Sequence, residues 1–108
     1  QKNAAIFVAK TKEGMAGYLI FYYVLEEGEI ARIATAHSVR RQGAASQMFR
    51  KLLDFCREQK ITRIMLEVRE NNEAARQFYG KCGFTKDGIR RNYYENPKEN
   101  AVLMSVNL

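Results

Sequence analysis

Apolar and polar residues alternate along the first third of the chain, a pattern that is typical of β-strands. The alternation runs from Ala4 to Lys10, and a second, more apolar segment runs from about Met15 to Leu25. The residues Thr11–Gly14 favour a hairpin turn, and a further turn at Glu26–Gly28 leads into a third strand predicted from Glu29 to Ala36. Because the connections are short, we expect the three strands to be antiparallel.

The periodicity changes in the middle of the chain, where apolar residues recur at every third or fourth position. This spacing predicts an amphipathic helix from Ala44 to Lys60. Alternation returns from Ile61 to Arg69, which predicts a fourth strand. Since a helix between two strands of one sheet forms a right-handed crossover, we expect the third and fourth strands to be parallel.

A short helix is predicted next. Asn72 is a suitable N-cap for it, and Gly80 and Gly83 are expected to end it. Its apolar side is formed by three residues, Ala75, Phe78 and Tyr79.

Two last strands are predicted at Phe84–Tyr94 and Ala101–Leu108, joined by the loop Glu95–Asn100. We therefore expect residues 1–108 to form a single α/β domain with a mixed sheet. In this chain we expect the antiparallel hairpins to come first and the βαβ crossover to follow them.

Composition narrows the class of protein and of partner. The net charge of +6, from 18 Lys and Arg against 12 Asp and Glu, favours an anionic partner. The longest apolar segment is about half the ~20 residues that a membrane helix needs, no leader segment is seen, and no membrane partner is expected. Because two cysteines make no disulfide framework, a cytoplasmic protein is expected. Two cysteines, Cys56 and Cys82, and one histidine, His37, make no metal set, and we expect His37 in a surface loop.

The segment Arg40–Ser46, between the third strand and the long helix, has the features of an anion-binding turn. Backbone N–H groups at a helix start are unpaired and lie at the positive end of the helix dipole. Gly43 permits a positive φ, and Ala44 and Ala45 add little bulk. The segment is neither a dinucleotide fingerprint nor a Walker loop. The segment therefore has two interpretations that the residues support equally. It either binds a pyrophosphate or is an ordinary strand-to-helix turn.

Two side chains are candidates for acid and base chemistry. Glu67 is a carboxylate in an otherwise apolar strand, where burial disfavours the charged form, as a general base near neutrality requires. The structural alternative is an ion pair with Arg63 or Arg69. Tyr79 lies on the next predicted helix and is either a proton donor or an ordinary core tyrosine.

The pattern Arg40-x-x-Gly43-x-Ala45 resembles the Arg/Gln-x-x-Gly-x-Gly/Ala signature of the GCN5-related N-acetyltransferases. Between roughly Gly28 and Val106 the chain is similar to the ribosomal-protein-alanine N-acetyltransferases. The residues that carry this similarity are Leu66-Glu67-Val68-Arg69, Asn72, Ala75, Tyr79, Gly83-Phe84, Arg90-Arg91-Asn92-Tyr93-Tyr94 and Glu99 to Met104.

The resemblance implies an acyl-CoA N-acyltransferase fold and transfer from acetyl-CoA to the N-terminal α-amine of a protein, such as a ribosomal protein. Glu67 would accept the amine proton through water and Tyr79 would protonate the CoA thiolate, while Tyr93 and Tyr94 would border the acceptor peptide. No metal is implied. The implied cofactor contacts are the backbone of Ile33, Ala34 and Thr35 for pantetheine, the amides of Arg41, Gln42, Gly43, Ala44, Ala45 and Ser46 for the pyrophosphate, and the side chain of Asn72.

Several alternatives stay open at this point. The resembled family usually begins with a strand and two helices, which nothing upstream of Gln1 supplies, so a core fragment that binds CoA without efficient transfer is one alternative. Transfer to a small amine or a lysine side chain is another. The basic and aromatic segment Arg90–Tyr94 suggests a third, an RNA- or ribosome-binding module without catalysis, although nucleic acid is not the expected partner.

Overall fold

The computed structural model describes residues 2–35 and 43–108 of the chain. Residue contacts group the chain into two compact units, Gln1–Thr62 and Arg63–Leu108. The described residues contain six strands and two helices. Neither of these helices has the length and apolar character that crossing a membrane requires.

The first unit is an antiparallel sheet of three strands followed by a long helix. Strand β2 pairs with β1 along one edge and with β3 along the other, antiparallel in both cases, which confirms the predicted hairpins. The predicted last residue of the third strand, Ala36, lies outside the described residues. The elements are β1 (Asn3–Thr11), β2 (Gly14–Val24), β3 (Glu27–Thr35) and α1 (Ala44–Gln59).

Helix α1 forms the core of this unit with β1 and β2, and it confirms the predicted amphipathic helix. The ring of Phe55 lies edge-on to three aromatic rings, 5.4 Å from Phe7, 6.5 Å from Phe21 and 5.3 Å from Tyr23 between centroids. Such edge-to-face pairs add about 0.5–1.5 kcal/mol each to the burial of the rings. The buried residues of α1 recur at helical spacing, namely Ala44, Met48, Phe49, Leu52 and Cys56.

The turn between β2 and β3 differs from the prediction. Leu25 and Glu26 form it, with Leu25 in the left-handed region at a φ of 54°, and Gly28 lies within β3. A Cβ on Gly28 would lie within 2.8 Å of several ring atoms of Phe21, which is fully buried. Packing against an aromatic ring, and not a turn, is therefore what requires glycine at this position.

The second unit is also an antiparallel sheet of three strands, with one short helix. Strand β6 lies between β4 and β5 and is antiparallel to both. All four predicted elements are confirmed, although β4 begins at Arg63 and not at Ile61, and β6 begins two residues before the predicted Ala101. The elements are β4 (Arg63–Arg69), α2 (Glu73–Lys81), β5 (Thr85–Tyr94) and β6 (Glu99–Asn107).

Helix α2 begins where the sequence predicts, because the side chain of Asn72 accepts a hydrogen bond from the N–H of Ala75 at 3.2 Å. The predicted stop at Gly80 is wrong, since the helix continues to Lys81. The chain leaves the helix at Gly83, where φ is 98°. A glycine ends a helix only where the backbone turns left-handed, which it does at Gly83.

Alternation along β4 divides the second unit into two faces. One face is apolar and is continued on β6 by Val102 and Met104, which are directly opposite Val68 and Leu66. The other face carries Glu67 opposite Leu103, and a row of three residues crosses this face from β4 to β5. Because residues directly opposite each other point to the same side, the row consists of Arg69, Ala101 and Arg90.

Strand β5 contains two irregularities, and the second is the larger. Arg90 pairs with Ala101 and Tyr94 pairs with Glu99, so four steps along β5 match two steps along β6. Within this bulge Asn92 is left-handed, with a φ of 52°, and its N–H donates to Oδ1 of Asn100 at 2.9 Å. The two extra residues leave Tyr94 on the same face as Arg90.

We expect the substitution Gly28→Ala to destabilise the protein by about 1–3 kcal/mol, because the new methyl group overpacks the site of the Phe21 ring. Gly80→Ala is the matched control, since a Cβ there has open space and removing a glycine from a helix stabilises it by up to about 1 kcal/mol. Urea unfolding of both variants measures the difference. A Gly28→Ala protein as stable as the parent would contradict the packing explanation.

Candidate functional site

The described part of the segment predicted to bind an anion, residues 43–46, lies at the start of α1 in the first unit. Gly43 is its N-cap and has φ 78° and ψ 16°, a left-handed conformation that favours glycine. Its carbonyl accepts the first helical hydrogen bond from Gln47 at 2.9 Å. Among the described residues no side chain caps this turn, and the first turn contains no acidic residue. The helix start is therefore electropositive, with backbone donors available to an anion.

The other predicted cofactor residues of the first unit are placed only in part. Ala44 is buried, Ala45 is half-buried and Ser46 is exposed in the first turn of α1. Ile33, Ala34 and Thr35 are the last, half-buried residues of β3. Arg40, Arg41, Gln42 and His37 lie outside the described residues. Their predicted roles stay predictions.

Glu67 occupies the centre of β4 in the second unit. Its side chain is 28% exposed, and Oε2 lies 3.4 Å from Nη1 of Arg90. Oε2 itself is shielded from solvent and has no hydrogen-bond partner among the described residues. Glu67 thus combines one buried, unsatisfied oxygen with a partly open side chain, an arrangement suited to receiving a proton donor.

The ion-pair alternative for Glu67 named the wrong partner. Arg69 pairs with Glu99 at 3.2 Å, and Arg63 lies 4.0 Å from Asp87. The partner of Glu67 is Arg90, which comes from β5 on the far side of β6. Sequence spacing gave no signal for this pair, because the contact depends on the strand register.

Tyr79 is buried in the second unit, with 5% of its surface exposed and its ring 5.7 Å from that of Phe84. Burial, with smaller contributions from Cys82 and Tyr94, raises its pKa to about 12. The phenol is therefore protonated at every physiological pH. A proton donor and a core tyrosine are both compatible with this position.

Tyr94 connects the two candidate catalytic residues. Burial raises its pKa, and the next cause is the carboxylate of Glu67, while Tyr94 in turn contributes to the raised pKa of Tyr79. Tyr94 is thus within electrostatic reach both of Glu67 and of Tyr79. Tyr93 is more exposed, at 44%, and its ring is edge-on to that of Tyr94 at 5.0 Å.

A hydrogen-bonded clamp around Arg69 holds the end of β5, and the sequence reasoning missed it. Arg69 donates to the backbone oxygens of Pro97 and Glu95 at 3.0 and 3.2 Å, and its guanidinium lies 4.3 Å from the centre of the Tyr94 ring. Its ion-pair partner Glu99 also accepts from the N–H of Asn71. The clamp fixes the turn after Tyr94 to the strand that carries Glu67.

The remaining features are the side chain of Asn72, the potential metal ligands and one cavity. The side chain of Asn72 caps α2, and its predicted contact with a cofactor stays a prediction. The described residues contain no group of three potential metal ligands. A cavity of about 390 Å³ contains none of the predicted site residues and is lined by Glu73, Arg76, Gln77, Lys86, Val102 and Met104.

Comparison with known proteins points to one family. The Acetyltransferase (GNAT) family matches residues 1–84. A Bacillus subtilis protein, provisionally named ribosomal protein bS18-alanine N-acetyltransferase, is 34% identical over 105 residues, which are 96% of this chain and 70% of that protein.

Solved structures agree with the sequence comparison. The crystal structure of the ribosomal-protein-S18-alanine N-acetyltransferase from Escherichia coli has a TM-score of 0.89 and 31% identity, over 96% of this chain and 68% of that one. An acetyltransferase from Bacillus anthracis, solved in complex with acetyl coenzyme A, has a TM-score of 0.87 and 26% identity, over 98% of this chain and 63% of that one. The chain spans about two thirds of the length of these proteins.

Proposed function

Because the chain belongs to the acetyltransferase (GNAT) family, we propose that it transfers the acetyl group of acetyl-CoA to the α-amino group at the N-terminus of a ribosomal protein. The observation that carries the acceptor is the similarity, over 96% of the chain, to proteins named for that reaction. Membership of the family confirms the predicted α/β fold with a mixed sheet. It also makes the chain an enzyme, against the alternative of an RNA-binding module without catalysis. A ribosomal acceptor favours a cytoplasmic location.

The first unit supports the proposal through the start of α1. A diphosphate requires several backbone donors, positive potential and close access, and the turn at Gly43 offers all three. Because no described side chain caps the first turn, we assign the N–H groups of Ala44, Ala45 and Ser46 to phosphate oxygens. We assign the adjoining residues Arg41 and Gln42 to the same task on the resemblance alone, together with Ile33, Ala34 and Thr35 for pantetheine and Asn72 for a further contact.

The second unit supports the proposal through Glu67. When bound, acetyl-CoA supplies the thioester carbonyl carbon to which the amine nitrogen bonds as the carbon–sulfur bond breaks. Glu67 takes one proton from the ammonium form of the amine, directly or through a water, and the second proton leaves the nitrogen as the amide forms and balances the one given to the sulfur. The unsatisfied Oε2 of Glu67 supports this assignment. An α-amine has a reference pKa near 8, so it needs only modest help to lose this proton.

Tyr79 supplies the other proton, to the departing sulfur. Its pKa of about 12 keeps it in the donor form, but a thiolate with a reference pKa near 8.5 is a weak acceptor in water. Burial also raises the pKa of the nearby thiol of Cys82. A thiolate that forms in the same surroundings is therefore a stronger base than in water, which brings donor and acceptor closer in strength.

The two tyrosines at the end of β5 are proposed to border the acceptor. The exposed ring of Tyr93 and the half-buried ring of Tyr94 make an edge-on contact. Tyr94 is also within electrostatic reach of Glu67. Aromatic rings with polar tips suit an extended peptide, which presents both apolar groups and backbone hydrogen-bonding groups.

Introducing a carboxylate into the first turn of α1 should separate cofactor binding from stability. We expect Ser46→Glu to weaken CoA binding about tenfold by repelling the diphosphate, while the helix dipole keeps the thermal stability equal or raises it. Ser46→Gln, of the same size and without charge, is the control. Calorimetric titration with CoA measures the effect, and equal affinity of the Glu and Gln variants would remove the diphosphate from this turn.

The roles of Glu67 and Tyr79 predict a loss of turnover without a loss of cofactor binding. We expect Glu67→Gln and Tyr79→Phe each to lower kcat by about 10²-fold, because each removes one proton-transfer group. Protection of both variants by CoA against thermal unfolding should match that of the parent. Turnover at the parental level in both variants would remove the assigned roles.

The acceptor is tested with two peptides that differ in the position of the free amine. One begins with alanine and has acetylated lysines, and the other has a blocked N-terminus and a free lysine. We expect mass spectrometry to show acetylation of the first peptide and at least about tenfold less of the second, because the ε-amine has a reference pKa near 10.4 and is harder to deprotonate. Preference for lysine, or for a small amine added to the same assay, would favour the corresponding alternative.

A further inference from the structure

The contact between Arg90 and Glu67 is weak for an ion pair whose carboxylate oxygen is shielded from solvent. At 3.4 Å it is longer than the roughly 2.7–2.9 Å of a charge-assisted hydrogen bond, and Oε2 of Glu67 receives no hydrogen bond from any described residue. The Arg90 side chain is 54% exposed. The guanidinium of Arg90 therefore lies near the carboxylate of Glu67 without a hydrogen bond to its Oε2.

The geometry of the sheet explains why the contact is loose. Arg90 and Glu67 lie on strands separated by β6, so their backbones are about 10 Å apart. The Arg90 side chain spans this distance across the small residue Ala101, and its guanidinium lies 4.9 Å from the centre of the exposed Tyr93 ring. An extended side chain with one ionic contact and one ring contact is easily displaced.

Arg69 on the same face shows the opposite behaviour and serves as an internal comparison. Its guanidinium donates to one carboxylate and two backbone oxygens, and its partner Glu99 is only 10% exposed. A cation with these contacts is part of the fold. Among the described residues Arg90 has no counterpart of the two backbone contacts, so the same residue type plays two different roles on one face.

We propose that Arg90 is a placeholder for the cationic amine of the acceptor, which displaces it from Oε2 of Glu67 and takes its place beside the ring of Tyr93. The carboxylate and the ring together form a site for a primary ammonium group. A carboxylate accepts a charge-assisted hydrogen bond from the ammonium, and the ring contributes a cation–π contact. This inference rests on the proposed role of Glu67 and adds a residue that sets how tightly the amine binds.

Competition between Arg90 and the acceptor has a kinetic consequence. With acetyl-CoA saturating and an alanine-first peptide as acceptor, we expect Arg90→Gln to lower the acceptor KM about three- to fivefold, the range of an exposed ion pair. We expect kcat to stay within about twofold, because Glu67 keeps its position on β4. The fall in KM should shrink at high salt, which screens exposed charges.

Arg91→Gln is the matched control, because it removes the same charge from the neighbouring, exposed position. An equal fall in KM in both variants would mean that net charge alone acts, and would overturn the placeholder. A raised KM or a tenfold lower kcat in Arg90→Gln would also overturn it, since Arg90 would then hold Glu67 in place.

A binding measurement separates this inference from the proposed function. We expect methylammonium to shift the carboxyl carbon-13 signal of Glu67, with half-saturation at a three- to fivefold lower concentration in Arg90→Gln than in the parent or in Arg91→Gln. If the parent acetylates no α-amine peptide, the proposed function fails and this titration alone decides. The absence of a shift, or equal half-saturation in all three proteins, overturns the placeholder even where peptides are acetylated.

Discussion

The candidate site of the second unit depends most on the contacts that the guanidinium of Arg69 makes. It bonds to Glu99 and to two backbone oxygens of the turn after β5, and it lies against the ring of Tyr94. Arg69 follows Glu67 by two residues on the same face of β4. The strand that carries the candidate base and the turn that follows the aromatic pair are therefore held together by one side chain. A carboxylate as little exposed as that of Glu99 is stable only when it is paired in this way.

Two ion pairs on one sheet face thus differ in kind. Arg69 donates hydrogen bonds to Glu99 and to two backbone oxygens. The pair of Arg90 and Glu67 instead leaves Oε2 of Glu67 without a hydrogen bond from any described residue. Unsatisfied buried polar groups are rare in folded proteins because each one destabilises the folded state. In the second unit the unsatisfied oxygen belongs to Glu67, to which we assign proton transfer. A hydrogen bond from a bound substrate can offset this loss of stability.

Sequence periodicity was sufficient to predict all six strands and both helices, because one buried face imposes a period of two or of 3.6 residues. It failed at two glycines: Gly28 lies within β3 and packs against the ring of Phe21, and Gly80 lies within α2 and does not end the helix. The partners of Glu67 and Arg69 were also missed. Such pairs depend on register across β6, and the bulges in β5 shift that register by a number of residues that composition does not reveal.

The bulge between Arg90 and Tyr94 inserts two residues into β5 and decides which side chain lies at the end of this strand. Arg90 and Tyr94 are four residues apart in the chain, but their partners Ala101 and Glu99 are only two residues apart on β6. If β5 continued from Arg90 in regular register, Asn92 and not Tyr94 would be opposite Glu99. A short amide would then replace the aromatic ring that packs on the guanidinium of Arg69.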